Sequence, residues 1–246
     1  MARLDSIWRY PVSSFAGERL ALAAIGATGL IGDRVYGAVD LRDGDTAWPG
    51  KRPRWDGTPG IAARGAGDAV EIRALEGDAA SGAWLAAESD TAGALLAGHF
   101  GFPVALRRHP EPGLGVGTPT VATRYNVRHI HLLSRQSLAS LCRRVPEAAI
   151  DERRFRPNLL VDLDGHAGDF PETDWLNGTE FTVGEARLRV LEPCRRCVFV
   201  TLRHGDLPRD ANVLRALAYH NNADLGVVCA VVEPGAVREG DEVSVG

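Results

Sequence analysis

Leu191-Glu192-Pro193-Cys194-Arg195-Arg196-Cys197-Val198-Phe199-Val200-Thr201 holds two cysteines three apart with two arginines between them. Ahead of it, Arg187 to Leu191 alternates polar and apolar residues. Behind it, Val198 to Val200 is β-branched and aromatic, so both flanks read as strand. Pro193 ends the first run, which makes Cys194 to Cys197 a tight loop at a strand end. A thiol beside fixed positive charge is pushed toward thiolate, and thiolates attack electrophiles, exchange disulfides or bind soft metals. The loop reads as the chemical end of a β structure.

The same alternation recurs outward from the loop. Leu225 to Val232 is a strand in which Cys229 takes a core position, Glu233-Pro234-Gly235 is a turn, and Asp241 to Val245 is a last strand. Asp210 to Tyr219 is a short helix with Val213, Leu214 and Leu217 inward. His220-Asn221-Asn222 closes it, since Asn tolerates the left-handed conformation. Upstream, Ile130 to Leu133 is a strand, and Ser134 caps a helix whose Leu138, Leu141, Cys142 and Val145 face the core. Phe155-Arg156-Pro157-Asn158 leads into a buried strand, Leu159 to Val161, and Asn177-Gly178 turns the chain before the strand that reaches the cysteines. A guanidinium at the mouth of a buried strand needs a partner. Asn158 either meets a ligand there or satisfies nearby backbone.

The amino-terminal half is turn-rich. Ile7 to Val12 is a strand, Ser13-Ser14 a turn, Leu20 to Ile25 continues a hairpin, and Val35 to Leu41 is a strand closed by Arg42-Asp43-Gly44-Asp45. This is a β meander. The glycines from Gly26 to Gly32, which Arg34 follows, lack the dinucleotide fingerprint that follows a strand and opens a helix. Trp48 to Trp55, with Lys51, Arg52 and Arg54 between the indoles, either binds an anion or flat ligand or is a solvated loop over packed tryptophans. A helix capped by Asp90 or Thr91 runs through His99 to Gly101, and Val104 to Arg107 is a strand. The Pro/Gly run from His109 to Pro119 joins two halves. Many short strands with two or three helices predict a mainly β (α+β) protein, a β-barrel with helices on its flank.

At 246 residues, 45% hydrophobic and 24% charged, the chain has the composition of a soluble globular protein with a sizeable core. A net charge of -4 gives no argument for nucleic acid or an acidic membrane. The amino terminus lacks a signal-peptide core and no apolar run reaches a membrane span, so a cytoplasmic protein with reduced thiols is expected. Cys194 and Cys197 also make half a zinc knuckle, but Cys142, Cys229, His204 and His220 show no second paired spacing. A thioredoxin-like pair opens a helix, whereas this one lies between strands.

Four pieces in order, Tyr10-Pro11-Val12-x-Ser14, Arg156-Pro157-Asn158, Cys194-x-x-Cys197 and Glu233-Pro234-Gly235-x-Val237-x-x-Gly240-Asp241, resemble the MOSC-domain proteins. The order is similar to that of the amidoxime-reducing component and its bacterial relatives, with their amino-terminal β-rich MOSC module. The resemblance implies a smaller β-rich module over residues 1–116, of which 1–45 can pack with the barrel, and a MOSC β-barrel over 117–246. It implies a molybdenum–molybdopterin cofactor with Cys197 as the single protein ligand of the metal. Ser13, Ser14, Arg34, Asn126, Arg156, Asn158 and Arg196 match the positions around the cofactor. Guanidinium forks and hydroxyls suit its phosphate, an amide suits a pterin edge, and Arg196 beside the ligand helps keep the sulfur ionised. Pyridoxal phosphate binding comes with the family as a further association. Cys194 reads as a loop or core thiol.

The reaction implied is reduction of N-hydroxylated or N-oxide-like substrates by oxygen-atom transfer. Lacking an Fe–S cysteine set and a dinucleotide fingerprint, the chain takes electrons from a separate flavin, haem or ferredoxin-type protein. Two departures bear on this. Ser13 stands where relatives often carry lysine, and Asn126 and Val127 stand where they carry an acid and a threonine, with Arg128 and His129 at the pocket entrance. The alternatives are a sulfur carrier using a persulfide on Cys197 and a non-catalytic molybdopterin-binding carrier.

Overall fold

Five consecutive strands open the chain in a computed structural model that describes residues 2–66, 69–75, 82–110, 120–121, 129–165, 168–176 and 178–245. They are β1 (Arg3–Arg9), β2 (Glu18–Leu20), β3 (Leu22–Gly26), β4 (Gly29–Leu30) and β5 (Tyr36–Asp40). Next come β6 (Ile61–Ala66), β7 (Ala69–Ala74), β8 (Leu85–Ala86), α1 (Asp90–Phe100) and β9 (Val104–Arg108). The second half runs β10 (Ile130–Ser134), α2 (Arg135–Arg144), β11 (Leu159–Asp162), β12 (Glu180–Val183) and β13 (Ala186–Arg195). It ends with α3 (Asn212–His220), β14 (Asp224–Glu233), β15 (Gly235–Arg238) and β16 (Val243–Val245). The architecture is mainly β with flanking helices, as the short alternating runs predict.

One eight-stranded sheet, in the order β16-β12-β13-β14-β10-β11-β1-β2, carries the site. Its amino-terminal strands β1 and β2 lie beside β11, so the first residues complete a sheet built mostly from the second half. The single parallel pair in it, β10 with β11, is possible because α2 supplies the crossover. Alternation sorts the strand residues between two layers. Leu132, Leu159 and Val161 join Leu4, Ile7 and Val227 in one core, while Leu133 and Leu160 face Leu138, Leu141, Val213 and Leu217 of α2 and α3. A separate core gathers Val12, Phe15, Tyr36, Trp55, Ile61, Ile72, Leu96 and Phe102 in the amino-terminal region. Trp55 is fully buried there, edge-on to Phe100 and Phe102 at 5.3 and 5.2 Å. Among the described residues no helix is long and apolar enough to cross a membrane.

Four local expectations need correction. Pro193 does not end its strand: β13 continues to Arg195, with register shifts between Val190 and Glu192 and between Pro193 and Arg195. A proline is tolerated where an irregular ladder needs no N–H from it. Val198 to Val200 is not a strand but part of a 3-10 turn, Val198–Thr201, closed by Thr201 Oγ1 on the Val198 carbonyl at 2.7 Å. Cys142 is exposed, not packed. The buried stripe of α2 turns toward Ser137 and Ser140, whose hydroxyls donate to Glu172 at 2.6 Å and Asp169 at 2.8 Å. Ser89, one residue before the expected cap, caps α1, and Gly101 ends it at φ 78°. The 116/117 boundary, the Asn177-Gly178 turn and most of the linking Pro/Gly run involve residues outside those described.

Candidate functional site

The site gathers where β1 leaves the sheet and β11 enters it. The turn ahead of β11 puts Arg156 at φ 54°, although Pro157 after it disfavours compact backbone in the preceding residue. Ser14 (φ 69°) and Arg34 (φ 51°) are also left-handed. Three non-glycine residues in this region each cost about a kcal/mol or more, and surrounding bonds hold them there. The Arg34 N–H donates to the Tyr10 carbonyl at 2.7 Å, and the Arg156 N–H to that of Glu152 at 3.0 Å. Tyr10, nearly fully buried, lies between the two guanidinium groups: Arg156 sits 4.1 Å and Arg34 5.6 Å from its ring centre. Burial pushes the Tyr10 phenol above its ordinary value even against the pull of Arg156 and Arg34. Its hydroxyl has no hydrogen-bond partner among the described residues.

Asn158 is fully buried and spent on the protein itself. Its Oδ1 accepts from the His131 N–H at 3.2 Å and from Arg34 at 3.4 Å, and its Nδ2 donates to the Trp8 carbonyl at 3.2 Å. These bonds match the backbone-satisfying reading, and one of them also engages Arg34. His131 continues the chain of contacts, with Nδ1 3.2 Å from the Arg156 carbonyl and Nε2 3.2 Å from that of Leu225. Gly226, at φ 77°, makes room for this ring: a Cβ there would come within 2.5 Å of His131 Nε2 and the Leu132 carbonyl.

The two cysteines divide. Cys197 is exposed, and Cys194 is half-buried. Arg196 does not serve Cys197 as expected. Its guanidinium donates to Cys194 Sγ at 2.8 Å and to the Phe155 carbonyl at 2.5 Å, and stands 3.4 Å from His131 Nε2. Burial raises the Cys194 thiol, but Arg196 and His131 outweigh it and bring the group down to about 6. The sulfur held as thiolate near neutral pH is thus the one read as a loop or core thiol. Cys229 is buried and pushed up by desolvation, in keeping with a core position. Contacts run without a break from Arg34 through Asn158, His131 and Arg196 to Cys194, and Phe199, two residues past Cys197, lies 5.7 Å from Arg156.

The amino-terminal region reaches the segment after Cys197: a Cβ on Gly50, in the Trp48 to Trp55 stretch, would overlap Val198, so Gly50 packs directly against that residue. The cations of that stretch face carboxylates: Arg54 pairs with Asp40, Asp43 and Asp45, and Arg52 with Asp45. Trp48 is exposed while Trp55 is core, so one indole fits each of the two readings. Ser13 hydrogen-bonds His109 at 3.0 Å. Asn126 lies outside the described residues. Sequence reasoning missed His131, Tyr10 as a cation platform, and His109. The signal for His131 was a polar residue inside the apolar run Ile130 to Leu133.

Among the described residues no group of three or more His, Cys, Asp or Glu side chains is placed to hold a metal ion. The residues present do suit a phosphate-tailed cofactor with a soft metal: an accessible sulfur on Cys197, and two arginines and a serine in left-handed backbone. The chain's only lysine, Lys51, is exposed in a turn.

No curated protein matches the chain. Among solved structures it is similar to the YuaD protein from Bacillus subtilis, with 16% identity, 99% of this chain and 94% of that one covered, and a TM-score of 0.50. It also aligns with YiiM from Escherichia coli at 23% identity over 48% of this chain and 53% of that one, with a TM-score of 0.36. The profile of the MOSC N-terminal beta barrel domain matches residues 1–89, and that of the MOSC domain matches residues 119–244. The chain therefore belongs to the MOSC-domain family, a family associated with the molybdenum cofactor.

Proposed function

We propose that this protein is a molybdenum-cofactor-dependent reductase of N-hydroxylated or N-oxide-like substrates, with Cys197 as the protein ligand of the metal. The observation that carries the reading is an exposed Cys197 thiol two residues from Phe199, whose ring lies 5.7 Å from Arg156, together with left-handed backbone at Ser14, Arg34 and Arg156. Backbone strain kept at cationic and hydroxyl-bearing residues is what an anion site maintains for its ligand. Arg34 and Arg156 would hold the phosphate, with Asn158 fixing Arg34. The cofactor, when bound, supplies two-electron oxygen-atom transfer; the protein supplies the sulfur, the cationic cradle and restricted access. Electrons come from a separate redox protein.

The test is metal content and turnover after expression in a host that makes the cofactor. Cys197→Ser is expected to lose molybdenum and reductase activity with an unchanged circular-dichroism spectrum. Full molybdenum occupancy and activity in that variant overturn the assignment. A second reading, sulfur transfer, is favoured by one observation: Cys194 is held as thiolate by Arg196 and His131. A 32-dalton mass gain on a cysteine of the metal-free protein after incubation with a persulfide donor, taken here as roughly one sulfur atom, marks that alternative.

A further inference from the structure

Along α2 lies an open groove of about 450 Å3 that the proposed function leaves unused. Small-molecule sites enclose about 300–1,000 Å3, so it is ligand-sized. Arg135, Ala139 and Cys142 line it at helical spacing, with the buried Leu138 behind them. Ile150, Asp151 and Glu152 line it from the segment that follows α2, and Asp162 from the end of β11. None of these residues belongs to the Ser14–Arg34–Arg156 cradle. Ala139, Cys142 and Ile150 present carbon and sulfur, so a guest along them has an apolar body.

Four charged side chains line the groove: Arg135, Asp151, Glu152 and Asp162. Two of them bring their own counter-ions, Arg135 tied to Asp5 at 2.5 Å and Asp151 to Arg153 at 2.8 Å. The other two do not. Asp162 accepts from Gln136 Nε2 at 2.7 Å, a neutral donor. The Glu152 carboxylate has no hydrogen bond or ion pair among the described residues. Both act on Arg135 from beyond contact, helping Asp5 to hold that guanidinium above its ordinary value, which gathers the two carboxylates around one residue. Two carboxylates without a cation of their own, beside an apolar surface, are complementary to an organic cation. A planar amidinium or guanidinium suits them best, because its fork of N–H groups matches a carboxylate.

We propose that this groove is a second binding site, for an organic cation with an amidinium or guanidinium head and an apolar body, and that it separates product from substrate by charge. An amidine freed of its N-hydroxyl group is a strong base, protonated at neutral pH, whereas its N-hydroxylated parent is far less basic and neutral. The naming of the guest as product rests on the reductase reading; the groove's preference for a cation does not.

Cys142 is an exposed thiol within the groove and reports on its occupancy. Partial burial raises this thiol, so the full chain is alkylated with iodoacetamide at mildly alkaline pH. Peptide mass spectrometry follows the rate at each cysteine. Benzamidinium chloride is expected to slow Cys142 saturably and to leave Cys197 unchanged. Benzamide, its neutral isostere, and N-hydroxybenzamidine should each protect about tenfold less well, and Glu152→Gln and Asp162→Asn should each weaken benzamidinium about tenfold. Sodium sulfate, which stands in for a phosphate at the cradle, should leave Cys142 unchanged at equal ionic strength. Absence of saturable protection by benzamidinium, equal protection by benzamide or sulfate, or protection undiminished in both variants overturns the cation site. Equal protection by N-hydroxybenzamidine overturns the separation of product from substrate. Protection that stands while the Cys197 metal test fails keeps the site and removes only its guest's origin.

Discussion

Arg154 and Arg156 stand two residues apart and lead opposite lives. Arg154 is fully buried, and its partners are backbone carbonyls: Ala149 at 2.7 Å, Leu202 at 2.9 Å, Pro208 at 2.6 Å and Val200 at 3.4 Å. Burial lowers its pKa, and no carboxylate hydrogen-bonds to it among the described residues. Arg156 stands in left-handed backbone with its guanidinium against the Tyr10 ring and the Phe15 carbonyl. The region around Arg154 is saturated, so the charge there is a structural clamp on the segment that follows Cys197. The region around Arg156 retains backbone strain and a buried phenol whose hydroxyl has no hydrogen-bond partner among the described residues. Where a fold has satisfied every donor it has built a scaffold; where it keeps strain beside a reachable sulfur it has kept a site.

The largest effect is expected from breaking the saturated side. Arg154→Met leaves several buried carbonyls without a donor and should cost about 3–5 kcal/mol in urea unfolding. A loss below about 1 kcal/mol would mean water replaces the guanidinium, and the contrast with Arg156 would collapse. Next comes Glu172→Ala. Glu172 is fully buried and accepts from Ser134 at 2.5 Å and Ser137 at 2.6 Å at the start of α2. Its removal should cost about 2–4 kcal/mol, and Glu172→Gln less, because an amide oxygen still accepts. Gly226→Ala is expected to cost about 1–3 kcal/mol from its positive φ and the crowding of His131, and to disturb the Cys194 thiol as well.

Much of the saturated side was legible in the sequence, because strand alternation and caps are local. Leu159 to Val161 reads as a buried strand from its apolar run, and Ser134 caps α2 as its position before the apolar stripe predicts. Part of the site was legible where a residue type has one chemistry: Arg34 and Arg156 both lie against the Tyr10 ring. It was not legible where partners are chosen by tertiary packing. Nothing in Arg195-Arg196 says which sulfur receives a guanidinium. Arg196 reaches Cys194 because β13 runs on past Pro193 in an irregular register. The 3-10 turn after Cys197 escapes a strand reading for a similar reason, since Arg154, more than forty residues upstream, takes the Val200 and Leu202 carbonyls.

The assignment of the thiolate sharpens the contrast on the site side. Because Cys194 is held at about 6, its alkylation by iodoacetamide should reach half its limiting rate near that pH, followed by peptide mass spectrometry. The folded value lies below the ordinary thiol value, so the stabilisation from the Arg196 contact is present above the ordinary value and lost as pH falls through about 6. Arg196→Met removes the largest lowering influence, lets burial prevail and should move the midpoint well above neutral. An unmoved midpoint would assign the effect to His131 alone.

The smallest effect is also the most selective. Ser14 is left-handed at φ 69°, where a Cβ is disfavoured and glycine is at ease. If the strain is kept for a ligand, Ser14→Gly should be more stable than Ser14→Ala by about 1 kcal/mol, while both variants lose sulfate affinity to a similar degree. The comparison between the two variants cancels the missing hydroxyl and leaves the backbone alone. Equal stability would show that the turn holds Ser14 without strain, and the argument from backbone to function would then lose one of its three supports. A stable Ser14→Gly that binds sulfate as the wild type does would remove the hydroxyl from the cradle and leave the anion to Arg34 and Arg156.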